Sequence, residues 1–187
     1  LDGNGQDDFV KILAGVQEAY GGITEILDNN ENFVKYNSLD NAKNNGISFV
    51  SGDRKKEGIL PNLSIYENLV VPLYKKTSRG GFLGFVDWLE LNGIFDWEVD
   101  RLSIKTGPRD NLIGSLSGGN QQKVMIARSF AQHPKVLILN DPARGIDVST
   151  KRDLYTHLRN YVEEGNTVVF LSSELEEFIG LCPKVMV

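Results

Sequence analysis

The chain is predicted to be an α/β protein, and three observations carry that prediction. Ile47–Val50, 136–139 (Val-Leu-Ile-Leu) and Thr167–Leu171 are short apolar runs without alternation, the pattern of strands covered on both faces. A helix-length segment separates the last two, so 136–171 reads strand–helix–strand, a parallel pair with a right-handed crossover. Leu116-Ser117-Gly118-Gly119-Asn120-Gln121-Gln122-Lys123 is a polar, glycine-paired turn running straight into the apolar-periodic Val124-Met125-Ile126-Ala127-Arg128-Ser129-Phe130. Adjacent glycines let backbone N–H groups approach a ligand, Ser117 can cap the helix, and a helix N-terminus with free amides attracts anions.

The elements follow in order. Residues 1–7 form a glycine-containing turn. Phe9, Val10, Ile12, Leu13 and Val16 at 3–4 spacing predict a helix that ends at Gly21-Gly22. Residues 23–45 are polar apart from 23–27 and Phe33–Tyr36, which predict small antiparallel strands. Ser51-Gly52-Asp53-Arg54 turns out of the strand Ile47–Val50. Residues 55–115 hold at least two helical segments, 65–74 and 85–91. The helix 118–131, the strand 136–139 and a helix over 149–163 come next, the last with Ser149 as N-cap and Gly165 near its end. Thr167–Leu171 gives way to a short helix over 174–179, and 184–187 reads as an uncapped strand. The expected architecture is a mostly parallel sheet with helices on both faces, a small antiparallel β segment and an inserted helical subdomain.

Composition bounds the function. With 187 residues, 41% hydrophobic and 24% charged, the chain can bury one sizeable core. A net charge of −5 argues against a general nucleic-acid surface. The single cysteine, Cys182, excludes an internal disulfide and a cysteine-built zinc site. No apolar run reaches the ~18 residues of a membrane-spanning helix. Both ends look cut, and a fragment of a longer polypeptide is expected. His133 and His157 read as surface residues.

The glycine-paired turn, its helix and an acid-tipped strand beginning thirteen residues after Lys123 resemble the signature loop and Walker B strand of ABC-type ATPases. The likeness covers nearly the whole chain. Gly-Asn-Gly-Gln near the start, Val50-Ser51-Gly52-Asp53-Arg54-Lys55-Lys56-Glu57-Gly58-Ile59, Leu63-Ser64-Ile65-Tyr66-Glu67-Asn68-Leu69 and Pro142-Ala143-Arg144-Gly145-Ile146-Asp147-Val148 are similar to the second ATPase half of fused bacterial sugar importers of the ribose, galactose and xylose type. Nucleoside importers share much of this pattern. The resemblance implies a P-loop NTPase (RecA-like) fold forming a single ABC domain over 1–187, with an α/β core at 1–54 and 128–187 and a helical subdomain at 55–127 that carries the signature. It also implies ATP and Mg²⁺ as ligands, and a second ATPase domain, expected in the same polypeptide. Further implied partners are transmembrane permease subunits and, indirectly, a periplasmic or extracellular sugar-binding protein, with no nucleic acid. The implied place is the cytoplasmic face of the membrane.

Against the family pattern, several ATP-handling positions are altered. A working phosphate loop supplies backbone amides, a lysine and a Mg²⁺-binding hydroxyl. Here Gly3, Asn4 and Gly5 keep the turn, but Gln6 stands at the lysine position and Asp7 at the hydroxyl position. Walker B ends on Asn140-Asp141, where Asn140 is a poor metal ligand. Asp141 reads either as a weak catalytic or water-orienting acid or as a structural one. An exchange of roles between Asp7 and Asn140 would keep one carboxylate near a metal. Gly52 takes the glutamine-loop position, and Asp53 and Arg54 are expected to tie that turn by local salt bridges. Ser173 falls on the switch-histidine position and cannot shuttle a proton near neutral pH.

The signature residues Ser117, Gly118, Gly119 and Asn120 are all present, and the resemblance has them act on the partner domain's ATP. Asp147 resembles an interface-crossing residue or, alternatively, caps the next helix. The aromatic cluster at 79–89 reads as a permease-docking patch or a small core. The expected function is a degenerate ATPase half, weak or inactive alone, which completes the partner's site and couples hydrolysis to transport. An independently active hydrolase, or a nucleoside importer domain, is the alternative.

Overall fold

The computed structural model describes residues 4–28, 31–74, 78–79, 85–179 and 181–186. Helix α1 (Gln6–Leu13) starts after Gly5, whose φ of 85° only glycine adopts readily. It ends at Ala14, well before Gly21-Gly22, because Gly15 takes a φ of 71° and Val16 N–H folds back onto the Lys11 carbonyl at 2.9 Å. A Cβ on Gly15 would lie 2.6 Å from the Ser38 carbonyl oxygen, so a chain crossing fixes the glycine and the helix end together. Strands β1 (Thr24–Leu27) and β2 (Phe33–Tyr36) pair antiparallel, as expected. The short helix α2 (Leu39–Asn44), capped by the Ser38 hydroxyl, has too few apolar positions to announce itself in the sequence.

After β3 (Ile47–Val50) comes one wide helical turn, Arg54–Gly58, which the Asp53 carboxylate opens by accepting Lys56 N–H at 3.1 Å. Helix α3 (Ile65–Val70) carries a reciprocal cap between Ser64 and Glu67. It tightens into a 3₁₀ turn, Val71–Leu73, because Pro72 has no N–H to continue the α ladder. Strands β4 (Ser78–Arg79) and β5 (Phe85–Val86) pair antiparallel, so the helix expected over 85–91 is displaced. That helix, α4 (Trp88–Arg101), starts at the Asp87 cap and runs for 14 residues. A 3₁₀ turn (Ile113–Ser115) leads to α5 (Gly118–Phe130), β6 (Val136–Asn140), α6 (Val148–Glu163), β7 (Thr167–Leu171) and a final 3₁₀ turn, Leu175–Phe178. Residues 181–186 pair with no strand, so the strand expected over 184–187 does not form among the described residues.

The chain forms two compact units. The first holds Leu1–Gly52, Pro134–Pro142 and Leu158–Val187; the second holds Asp53–His133 and Ala143–His157. In the first, β3, β6 and β7 form a parallel sheet with β6 in the centre, Ile47 beside Val136 and Val136 beside Thr167. Val10, Ala14, Tyr36, Ala42, Ile47 and Ile138 make its core, and the Tyr36 hydroxyl donates to the Leu13 carbonyl at 2.7 Å. In the second, α3, α4 and α5 pack together, burying Ile65, Leu69, Leu91, Phe95, Ile113, Ile126 and Phe130. Asn68, fully buried on α3, accepts Leu60 N–H at 2.8 Å and donates to the carbonyls of Leu60 and Ser64 at 2.9 Å each, stapling the loop before the helix.

Candidate functional site

The first unit places the residues expected at the phosphate-loop and Walker B positions, Asp7 and Asn140, side by side. Gly3 lies outside the described residues. Asn4 and Gly5 are exposed ahead of α1, and Asp7 sits in its first turn beside Asp8, where the helix dipole favours an acid. One Asp7 oxygen pairs with the Lys11 ammonium at 2.7 Å, one helical turn on. The other accepts from Asn140 Nδ2 at 2.5 Å. Lys11 foremost, with help from Asn140, outweighs partial burial and holds the Asp7 carboxyl below its ordinary range. Asn140 ends β6 with 7% of its surface exposed. Because a carboxylate only accepts, the amide must turn its NH₂ toward Asp7, leaving Oδ1 on the other side. There it faces Gly52, where an added Cβ would lie 3.3 Å from Oδ1 and 3.1 Å from the Asn140 carbonyl oxygen.

This donor set does not fit a divalent ion. Hard cations want several oxygens with charge among them. Asn140 is neutral and offers Asp7 its hydrogens, while both Asp7 oxygens already carry a donor. Among the described residues no group of three or more His, Cys, Asp or Glu is arranged to hold a metal.

Asp141, the next residue, has a φ of 47°, a left-handed conformation that Asp tolerates better than most. Its N–H continues the ladder to the Leu171 carbonyl at 2.8 Å while its side chain turns out of the strand. Ser173, just after β7, donates its hydroxyl to Asp141 at 3.4 Å, so the two candidate catalytic residues do meet. Behind them Ser172 donates to the buried Glu177 carboxylate at 2.5 Å and accepts Glu174 N–H at 3.0 Å, fixing the loop after β7. The pair can orient a water molecule, and it lacks an imidazole to carry a proton.

The signature lies in the second unit. Ser117 caps α5: its hydroxyl oxygen accepts Asn120 Nδ2 at 3.0 Å and, more distantly, Asn120 N–H at 3.5 Å. Asn120 Oδ1 accepts Lys105 N–H at 3.0 Å, and Gln121 Nε2 donates to the Leu116 carbonyl at 3.0 Å. Arg54 corrects the expectation of a local salt bridge. Asp53 does pair locally, with Lys56 at 3.7 Å; Arg54 Nη1 instead donates to the Gly118 carbonyl at 3.1 Å, across 64 residues of sequence. A Cβ on Gly118 would lie 3.0 Å from Arg54 Nη2, so the guanidinium is seated against bare backbone. Nothing in the sequence announced that contact, whereas Lys11 was readable as the i+4 partner of Asp7.

Asp147 caps α6 in place of Ser149. It accepts Thr150 N–H at 3.0 Å and the Ser149 and Thr150 hydroxyls at 2.5 and 2.8 Å, and these hydrogen bonds, that of Ser149 first, hold its carboxyl well below the usual range. His133 is exposed, as expected. His157 is half-buried, lining a small cavity with Leu102, Gln122, Ile126 and Leu154, and burial lowers its pKa.

Comparison with known proteins places the chain in a family. The profile of the ABC transporter family matches residues 2–144. The chain is 35% identical to the ribose import ATP-binding protein RbsA of Roseobacter denitrificans over all of its own length and 35% of that protein's. It is 37% identical to RbsA of Bacillus cereus, over 100% of the chain and 37% of the relative. It therefore spans about a third of the length of the curated relatives it matches. Two solved dimers of MJ0796, a bacterial ABC transporter cassette, one of them bound to ADP and Pi, have the same fold. They give TM-scores of 0.74 and 0.75 at 23% and 22% identity, covering 92% of this chain and 72% of theirs. With its parallel sheet and a profile match over residues 2–144, the chain belongs to the ABC transporter family.

Proposed function

We propose that this chain is a nucleotide-binding half of a sugar-type importer, of the kind its ribose-import relatives are named for, in which the signature loop works and its own phosphate site does not. The observation that carries this reading is the contrast between two turns. Ser117, Gly118, Gly119 and Asn120 stand as a capped, backbone-exposing helix start supported by Arg54. The start of α1 instead has Gln6 and an anionic Asp7 where a cation and a hydroxyl belong.

In this reading the Ser117 hydroxyl and the first amides of α5 donate to phosphate oxygens of a nucleotide held by a second ATPase domain. That bound nucleotide supplies the phosphoryl chemistry. Asp147, with its carboxylate spent on capping α6, holds the following helix in place and contributes to the contact between the two domains. Permease subunits, a solute-binding protein and a position against the membrane follow from the same reading. Among the described residues no helix is long and apolar enough to cross a membrane.

The test is Ser117→Arg in the assembled transporter. It puts a bulky cation where a hydroxyl must donate, and ATPase and sugar uptake are expected to fall by roughly 10²–10³, the range for loss of one preorganised donor. Asp141→Ala in the same chain is expected to change them less than tenfold. The reverse order of effects sinks the proposal.

A further inference from the structure

Three positions depart from the family's metal-site pattern in the first unit, and all three meet at the Asn140 side chain. Its NH₂ donates to Asp7, and its other edge faces bare Gly52. Asp7 in turn is bonded to Lys11, whose side chain is 24% exposed. The result is a continuous chain of charge-assisted contacts, ammonium to carboxylate to amide, linking α1 to the tip of β6.

We infer that the Lys11 ammonium, held by Asp7, takes the place of a divalent ion in this half, so that α1 and the end of β6 are tied together with no metal. This rests on the reading that the first unit's own site is degenerate, and it adds what fills the place. In a metal-bearing site, a divalent ion brings a hydroxyl and a carboxylate together through oxygen. Here one carboxylate has moved to the α1 side and an amide has taken the β6 side, so donor and acceptor meet directly. A cation beside Asp7 balances the charge that the carboxylate brings to this junction. Lys11 supplies it from within the helix. Gly52 completes the arrangement, since a Cβ there would lie 3.3 Å from the amide oxygen, a contact tight enough to displace it by a few tenths of an ångström. The tie is independent of solution cations, and Mg²⁺ has nothing left to bridge.

Two measurements on the full chain test this. The first is electron paramagnetic resonance titration with Mn²⁺ as the probe. The wild type is expected to leave the Mn²⁺ signal free; Asn140→Asp/Lys11→Gln, which supplies a second carboxylate and removes the internal cation, is expected to bind about one Mn²⁺, at least tenfold more tightly than Asn140→Asp with Lys11 intact. Mn²⁺ binding by the wild type that Asp7→Ala abolishes, or Asn140→Asp binding as tightly with Lys11 as without it, overturns the inference.

The second is a double-mutant cycle in urea unfolding with EDTA present, using Asp7→Ala, Asn140→Ala and the pair. A direct charged bond predicts coupling of about tenfold in the unfolding constant. Additivity within twofold overturns the tie. If Asn140→Ala does not fold, Asn140→Val, which fills the buried strand position without an amide donor, replaces it in the same cycle with Asp7→Ala. None of these outcomes involves the signature: Ser117→Arg should leave every one of them unchanged, so failure here is separable from failure of the proposed function.

Discussion

At Arg54 a single side chain reaches from the wide turn after β3 to the first residue of α5, donating to the Gly118 carbonyl at 3.1 Å. That carbonyl belongs to the glycine-paired turn that opens α5, so the bond holds the backbone of that turn in place. Arg54→Ala is expected to cost about 1.5–3 kcal/mol, the range for a hydrogen bond to a charged group. It should also lower the ATPase of the assembled protein, with Arg54→Lys intermediate because an ammonium lacks the planar fork. Urea melts and turnover of the three chains check this. Ser173 is the opposite case. Its 3.4 Å contact to Asp141 is long and exposed, so Ser173→Ala is expected to shift stability by less than about 0.5 kcal/mol, as a thermal melt will read.

At the scale of elements, helix ends and loops depend on a few close approaches. Gly15→Ala asks a side chain to adopt φ 71° and places its Cβ 2.6 Å from a backbone oxygen that cannot swing away. The cost should exceed the ~1 kcal/mol of an ordinary glycine position and approach about 3 kcal/mol, visible in a urea titration. Asn68→Ala takes away the acceptor of the Leu60 N–H and the second donor to the Leu60 and Ser64 carbonyls, which keep their backbone partners, and it empties a fully buried position. Its expected cost is about 1–3 kcal/mol by the same measurement.

Both features show why some elements were legible in the sequence and others were not. The apolar runs of β3, β6 and β7 and the Ser117 cap are local patterns, and they fold as read. The early stop of α1 is set by Ser38, more than twenty residues away in sequence, so periodicity through Val16 overshoots it. Helix α4 carries Gly93 and a mixed polar surface that blur its period, while the Asp87 cap marked its start for a reader who trusted caps over apolar spacing. In the candidate site, each altered position was visible alone. Their meeting at Asn140 depends on sheet register, which composition does not encode.

For the molecule as a whole, stability is expected to carry one buried acid's signature. Glu98, 1% exposed on α4, has one oxygen 3.5 Å from Arg101 Nη1 and the other buried without a hydrogen-bond partner. Arg101 lies over the Phe130 ring at 4.2 Å. Burial, only partly offset by Arg101, pushes the Glu98 carboxyl up to about 7 from the ordinary 4.5. Between those values the folded chain binds a proton that the unfolded chain has released. The stabilisation is therefore complete below pH ~4.5 and is lost as pH rises through ~7. Glu98→Gln should flatten this dependence, and its stability relative to the wild type should climb by about 1–3 kcal/mol between pH 5 and 8 in parallel denaturant titrations.

The junction at Asn140 also bears on which substitutions the domain tolerates. An acid at 140 while Asp7 remains sets two carboxylates against each other at hydrogen-bond distance, and a side chain at 52 while Asn140 stays crowds the amide. A hydroxyl at 7 strips Lys11 and Asn140 of their common partner. Each single step is expected to lower stability, so the three residues form a combination lock that opens only when two of them change together.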